Sequence, residues 1–109
     1  MNQKEEITPS QARERLAQGA LLLDVRENDE WQRGHVDGAQ HIPLGELSSR
    51  AGELPSKKEI VCMCRSGRRS AKAQTFLATV PDIGSVYNLN GGILRWVQDG
   101  LPIIGTAEE

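Results

Sequence analysis

Only two of the 109 residues are cysteines, Cys62 and Cys64. A disulfide scaffold is therefore not what holds this chain together. A bridge between the two would enclose a single residue, and on a strand their Cα atoms stand roughly 6–7 Å apart, at the limit of disulfide reach. A Cys-x-Cys pair is also too few ligands for zinc. The two histidines, His35 and His41, lie far upstream without ligand spacing, so no metal is expected and no cofactor is implied. Net charge is only −2, which gives no general attraction for nucleic acid or for a membrane surface. No apolar run approaches the roughly 20 residues that span a bilayer. The first residues, Met1 to Glu6, are polar and carry no signal-peptide core, so a cytoplasmic location is the default. Internal repeats and low-complexity segments are missing as well. What remains is one domain, residues 1–109, long enough to bury a single core without staples.

The elements follow from pattern and punctuation. Ile7 ends a short strand. Thr8-Pro9-Ser10-Gln11 opens a helix, with Thr8 as N-cap, Pro9 at N1 and Gln11 completing a capping box. Leu21 to Val25 is a continuous apolar run closed by an acid within it, Asp24, as expected of a strand covered on both faces. Arg26 to Gly34 reads as a short charged helix anchored in the core by Trp31, with Glu27 to Glu30 as a solvated face. Gln40 to Ile42 is a short strand stopped by Pro43. Leu44, Leu47 and Ala51 predict one short helix. Glu59 to Met63 is a second buried strand, and Ala71 to Val80 a helix. Ser85 to Leu89 is the last strand, and Gly91-Gly92 opens the last helix. Thr106 to Glu109 is expected to fray. Strands alternating with helices predict a three-layer α/β fold, with a mainly parallel sheet and helices on both faces.

The chemistry concentrates at Cys64-Arg65-Ser66-Gly67-Arg68-Arg69-Ser70. A cysteine at a strand end, followed by a glycine turn and a helix start, faces backbone N–H groups. Arg65, Arg68 and Arg69 add positive charge. Both effects favour the thiolate, and a low-pKa thiolate is a nucleophile and a carrier of a second sulfur. Ser70 stands where it could cap the helix. Cys62 lies inside the apolar run and reads as a core side chain, with a resolving thiol as the alternative. Asp24 and Arg26 are a strand-end ion pair or a support for the site. His35 reads as a backbone hydrogen-bonding residue and His41 as structural. Ligands of parallel sheets bind at the carboxyl ends of the strands, where Asp24 and Cys64 both fall.

Four patches in order resemble the rhodanese-like domains, specifically single-domain sulfurtransferases, over roughly residues 5 to 103. They are Leu22 to Arg26, Gly34 to Pro43, Cys64 to Ser70 and Leu89 to Trp96. The resemblance implies an approximately five-stranded parallel sheet. It implies a persulfide on Cys64, formed from thiosulfate or a similar small donor and discharged to cyanide, a thiol or a protein thiol. It places Arg65, Ser66, Gly67, Arg68 and Arg69 around the donor, with Arg69 and Arg65 favoured for its sulfonate end. Asp24, Arg26 and Ser70 would support them. Related cysteine phosphatases need Cys-x5-Arg; here that position is Ser70, and the shorter loop ending at Arg69 disfavours phosphatase or arsenate reductase chemistry. Mercaptopyruvate is a weaker donor candidate, since no carboxylate-binding constellation is apparent. A protein-to-protein sulfur relay is the alternative to a small-molecule enzyme, and the intact cysteine argues against a non-catalytic interaction domain.

Overall fold

The apolar runs become the central strands of a parallel sheet, because both of their faces are covered. The computed structural model describes residues 5–107. Met1 to Lys4 and the last two residues, Glu108 and Glu109, lie outside the described residues, and with them part of the expected polar N-terminus and frayed tail. In chain order the elements are β1 (Glu6–Ile7), α1 (Pro9–Ala17), β2 (Leu21–Asp24), α2 (Asn28–Arg33), β3 (Gly34–His35), β4 (Gln40–His41), α3 (Leu47–Arg50), β5 (Ile60–Met63), α4 (Arg68–Leu77), β6 (Val86–Leu89), α5 (Gly92–Gln98) and β7 (Ile104–Gly105). Five strands form one parallel sheet in the order β1-β6-β5-β2-β4. The strand carrying Cys64 at its end therefore sits in the middle.

Alternation along β5 divides the core into two layers. Val61 and Met63 join Ala12, Leu22, Ile93 and Trp96 on the face covered by α1 and α5. Ile60, Cys62 and Cys64 join Leu23, Leu47, Ala73 and Leu77 on the face covered by α3 and α4. Each strand side chain thus meets a helix, which is why the strands read as unbroken apolar runs rather than alternating ones. The capping box that opens α1 is formed as its residues predict, with Thr8 and Gln11 exchanging hydrogen bonds.

Several elements differ from the sequence expectation. The single helix expected from Leu44 to Ala51 is broken into 3-10 turns at Leu44–Glu46 and Ala51–Glu53 around the four-residue α3. The apolar spacing does place Leu47 inward, but two glycines, Gly45 and Gly52, interrupt the α-helical run. Trp31 is not a core anchor. It lies half-buried and stacked between two imidazoles, with ring centroids 3.8 Å from His35 and 4.7 Å from His41. Nor is the described part of the tail unattached. Ile104–Gly105 pairs antiparallel with Gly34–His35, and the Thr106 N–H donates to the Arg33 carbonyl.

Candidate active site

The helix after Cys64 begins earlier than its apolar pattern indicates, and this shapes the site. α4 starts at Arg68, with Gly67 as its N-cap at φ +111°. Arg68, Arg69 and Ser70 therefore belong to its first turn. Ser70 is not the cap; it is the third helical residue, and its hydroxyl faces inward. The periodicity missed this turn because it holds no apolar residue.

Cys64 is buried, 1 % exposed, at the carboxyl end of β5. The Gly67 N–H donates to its sulfur at 3.1 Å, and Ser70 Oγ lies 3.4 Å from it. Burial pushes the Cys64 thiol up. Hydrogen bonds from the Ser70 hydroxyl and from the N–H groups of Ser70, Gly67 and Ser66 outweigh it, so the thiol titrates below its ordinary value. Cys62 is the opposite case. It is fully buried, and burial, with a smaller contribution from the neighbouring Cys64 charge, pushes it up to about 12. Two cysteines on one face, two residues apart, thus differ in how strongly they resist ionisation, because only Cys64 reaches the N–H groups at the helix start.

The last helix holds the loop from behind. The N–H groups of Ile93 and Leu94 donate to the carbonyls of Cys64 and Arg65 at 2.9 and 3.2 Å. Gly92, at φ +63°, lies against those carbonyls; a Cβ there would stand 2.5 Å from the Cys64 oxygen and overlap the Arg65 carbonyl. Only glycine permits this approach. The Gly91-Gly92 pair is thus a backing for the loop carbonyls, while the N–H groups on the other side remain turned toward sulfur.

The arginines have separate roles. Arg69 forms a two-pronged pair with Glu30, Nη1 to Oε1 at 2.7 Å and Nη2 to Oε2 at 2.9 Å. Glu30 is accordingly no solvated surface acid. The hydrogen bond from Arg69 overcomes the effect of burial, and the Glu27 N–H and the charges of Arg69 and Arg26 add to it, lowering the Glu30 carboxyl to about 2. The expected assignment of Arg69 to the donor therefore meets a carboxylate already in place. Arg65, Ser66, Arg68, Arg69 and Lys72 line an open basic recess outside the loop. Lys72 was absent from the sequence-based set; it stands one helical turn beyond Arg68, a relation visible only once α4 starts at Arg68.

Asp24 and Arg26 form a fully buried pair. Arg26 Nη2 and Nε donate to Asp24 at 2.8 and 3.0 Å, and Nη2 also donates to the Gly34 carbonyl at 2.7 Å. Arg26 Nη1 reaches the Glu30 carbonyl at 3.4 Å. The pair ties the end of β2 to α2, and α2 carries Glu30 to Arg69. Its contact with the site is thus indirect. His35 bonds the Trp31 carbonyl through Nδ1, as expected, and His41, read from the sequence only as structural, bonds the Arg26 carbonyl through Nε2.

The chain that builds this strand-end cysteine and its six-residue loop matches the rhodanese-like domain family over residues 8–99. The chain belongs to that family. It is 37% identical over 101 residues to a sulfurtransferase of Allochromatium vinosum, covering 91% of this chain and 94% of that one. It is 52% identical over 75 residues to a putative sulfur carrier protein of Bacillus subtilis, covering 69% of this chain but 40% of that protein's length. A rhodanese-related protein from Thermoplasma volcanium superposes with a TM-score of 0.83 at 29% identity, over 95% of this chain and 99% of that one. Together the family and its sulfurtransferase members support sulfur transfer as the general chemistry of this rhodanese-like domain. Among the described residues no helix is long and apolar enough to cross a membrane.

Proposed function

We propose that this rhodanese-like domain moves sulfane sulfur from thiosulfate, or a similar small anionic donor, to cyanide or a thiol through a persulfide on Cys64. The observation that carries this is the position of the Cys64 sulfur at the focus of the Ser66, Gly67 and Ser70 N–H groups. In the first half-reaction the Cys64 thiolate attacks the outer sulfur of thiosulfate. The donor S–S bond breaks, and sulfite leaves with its electron pair. In the second, an acceptor nucleophile attacks the outer sulfur of the persulfide. The Sγ–S bond breaks, and the thiolate returns with its pair of electrons. This is covalent catalysis in two displacement steps, with the N–H groups holding the charge at each stage.

Burial of Cys64 favours a donor that presents sulfur end-on, as thiosulfate does. Arg65, Arg68 and Arg69 on the basic recess are the candidates for its sulfonate, with the carboxylate of Glu30 on Arg69. Ser66 and Gly67 supply N–H donors; Ser70, Asp24 and Arg26 support the loop. Treating the reduced protein with thiosulfate should add about 32 Da, one sulfur, to the intact mass, and cyanide should remove it. No adduct, or an adduct that persists in Cys64→Ser, overturns the proposal.

A second reading, a sulfur relay between proteins, draws on the resemblance to the sulfur carrier protein. It keeps the same persulfide and changes only the partners. Faster loading of Cys64 from a protein persulfide than from thiosulfate would favour the relay over the small-molecule enzyme.

A further inference from the structure

Asn88 is a fully buried polar residue in the middle of β6, outside every patch that carries the family resemblance. Its amide orientation is determined by its neighbours. The Gly67 carbonyl lies 3.0 Å from Nδ2 and a Glu6 carboxylate oxygen 3.4 Å from it. Both are acceptors, so the amide NH2 faces them, and Oδ1 faces Ser70. Ser70 Oγ is 2.6 Å from Asn88 Oδ1 and 3.4 Å from the Cys64 sulfur. A hydroxyl has one proton. It can serve only one of these two acceptors at a time, and Asn88 Oδ1 is the nearer.

We propose that Asn88 is a positioning residue that competes with the Cys64 sulfur for the single hydroxyl proton of Ser70. The inference rests on the reading of Cys64 as the sulfur-accepting nucleophile. With Cys64 as a thiol, its S–H can donate to Ser70 and the Ser70 proton goes to Asn88. When the S–H proton is lost to solvent, the Ser70 O–H turns about its Cβ–Oγ bond and donates to the thiolate, and Asn88 Oδ1 gives up its donor. When a second sulfur joins Cys64, the negative charge moves to the outer atom, Sγ becomes neutral, and the hydroxyl proton returns to Asn88. The next acceptor restores charge to Sγ as the leaving group, and the proton turns back to it. Asn88 thus holds the proton in one half of the cycle and yields it in the other.

Other charged and titratable groups lie on the elements packed around this cluster. Cys62 precedes Cys64 on β5 and Arg65 follows it in the loop. Arg69 on α4 stands with its partner Glu30 on α2, and the Asp24–Arg26 pair lies at the end of β2. Glu6 on β1 reaches Asn88. Ser70 Oγ hydrogen-bonds Asn88 Oδ1 and the Cys64 sulfur, so removing the hydroxyl isolates the contribution of Asn88 from that of these groups.

The test is the pH dependence of Cys64 alkylation by iodoacetamide in the reduced protein, with the modified residue located by peptide mapping. Asn88→Leu removes the competing acceptor, so the midpoint should fall by about half to one pH unit. In a Ser70→Ala background the same substitution should leave the midpoint unchanged, because no proton remains to compete for. A residue that merely held the loop through the Gly67 carbonyl would do the reverse. Its loss would misalign the N–H donors and raise the midpoint, with or without Ser70. An unchanged midpoint in Asn88→Leu, an upward shift, or a downward shift that persists without the hydroxyl overturns the proposal. If Asn88→Leu does not fold, Asn88→Ala removes the same acceptor without adding volume and takes the same measurement. Alkylation needs no sulfur donor, so failure of the persulfide test and failure of this one are separate results.

Discussion

Replacing Gly92 with alanine puts a methyl group against the backbone that holds the active sulfur. Two costs combine there. At φ +63° an L-residue pays a conformational penalty of about 1–2 kcal/mol. The new Cβ would also stand 2.5 Å from the Cys64 carbonyl oxygen and overlap the Arg65 carbonyl. Those atoms are backbone and cannot rotate aside, so overpacking adds about 1–3 kcal/mol. Gly38→Ala separates the two costs. Gly38 has φ +86° but nothing within 4 Å of the added Cβ, so it should show the conformational cost alone. Urea denaturation of both variants beside the parent protein measures the difference. Gly92→Ala should lose about 2–5 kcal/mol in total, at least 1 kcal/mol more than Gly38→Ala. Because the displaced atoms are the Cys64 and Arg65 carbonyls, Gly92→Ala should also slow Cys64 alkylation under native conditions, and Gly38→Ala should not. Equal destabilisation of the two variants, or alkylation of Gly92→Ala at the parental rate, would refute the backing role of α5.

Glu30→Gln should cost about 1 kcal/mol at pH 7, after discounting a partly exposed pair for solvent screening. The folded-state pKa of Glu30 is depressed from 4.5 to about 2, so its contribution is present above 4.5 and lost as pH falls toward 2. Parent and variant stabilities measured by denaturation should therefore converge in that window, and a gap that stays constant down to pH 2 would contradict the pairing. Cys62→Ala should still take up one sulfur from thiosulfate by intact mass, since Cys62 is buried and its thiol is pushed up to about 12; loss of the adduct in a folded variant would make Cys62 a participant in the transfer.

Local chemistry made much of the fold legible. Thr8 and Gln11 announce the start of α1 because a capping box is satisfied within four residues. The runs Leu21–Asp24 and Ile60–Met63 announce central strands because two-sided burial leaves no polar face. The same pattern failed at the start of α4, where the first turn is all basic and polar, and at Leu44 to Glu53, where glycines break the helix that the apolar spacing suggests. It failed for Trp31 because an aromatic side chain carries no local sign of whether it meets core or imidazole. The described tail was missed because β3 and β7 are about 70 residues apart and short on pattern.

By itself the sequence determined the parallel α/β fold, the strand-end position of Cys64 and the six-residue loop that follows it. Each of these follows from contacts within a few residues or from a burial pattern written along one strand. Only the tertiary structure decided the partners: Glu30 on Arg69, Gly92 behind the loop carbonyls, and Asn88 beneath Ser70. Those pairs lie 39, 27 or 28, and 18 residues apart in the chain, so no local periodicity relates them. They meet because the parallel sheet brings the ends of its strands to one edge, where a side chain's charge and hydrogen bonds depend on what the neighbouring strand or helix delivers.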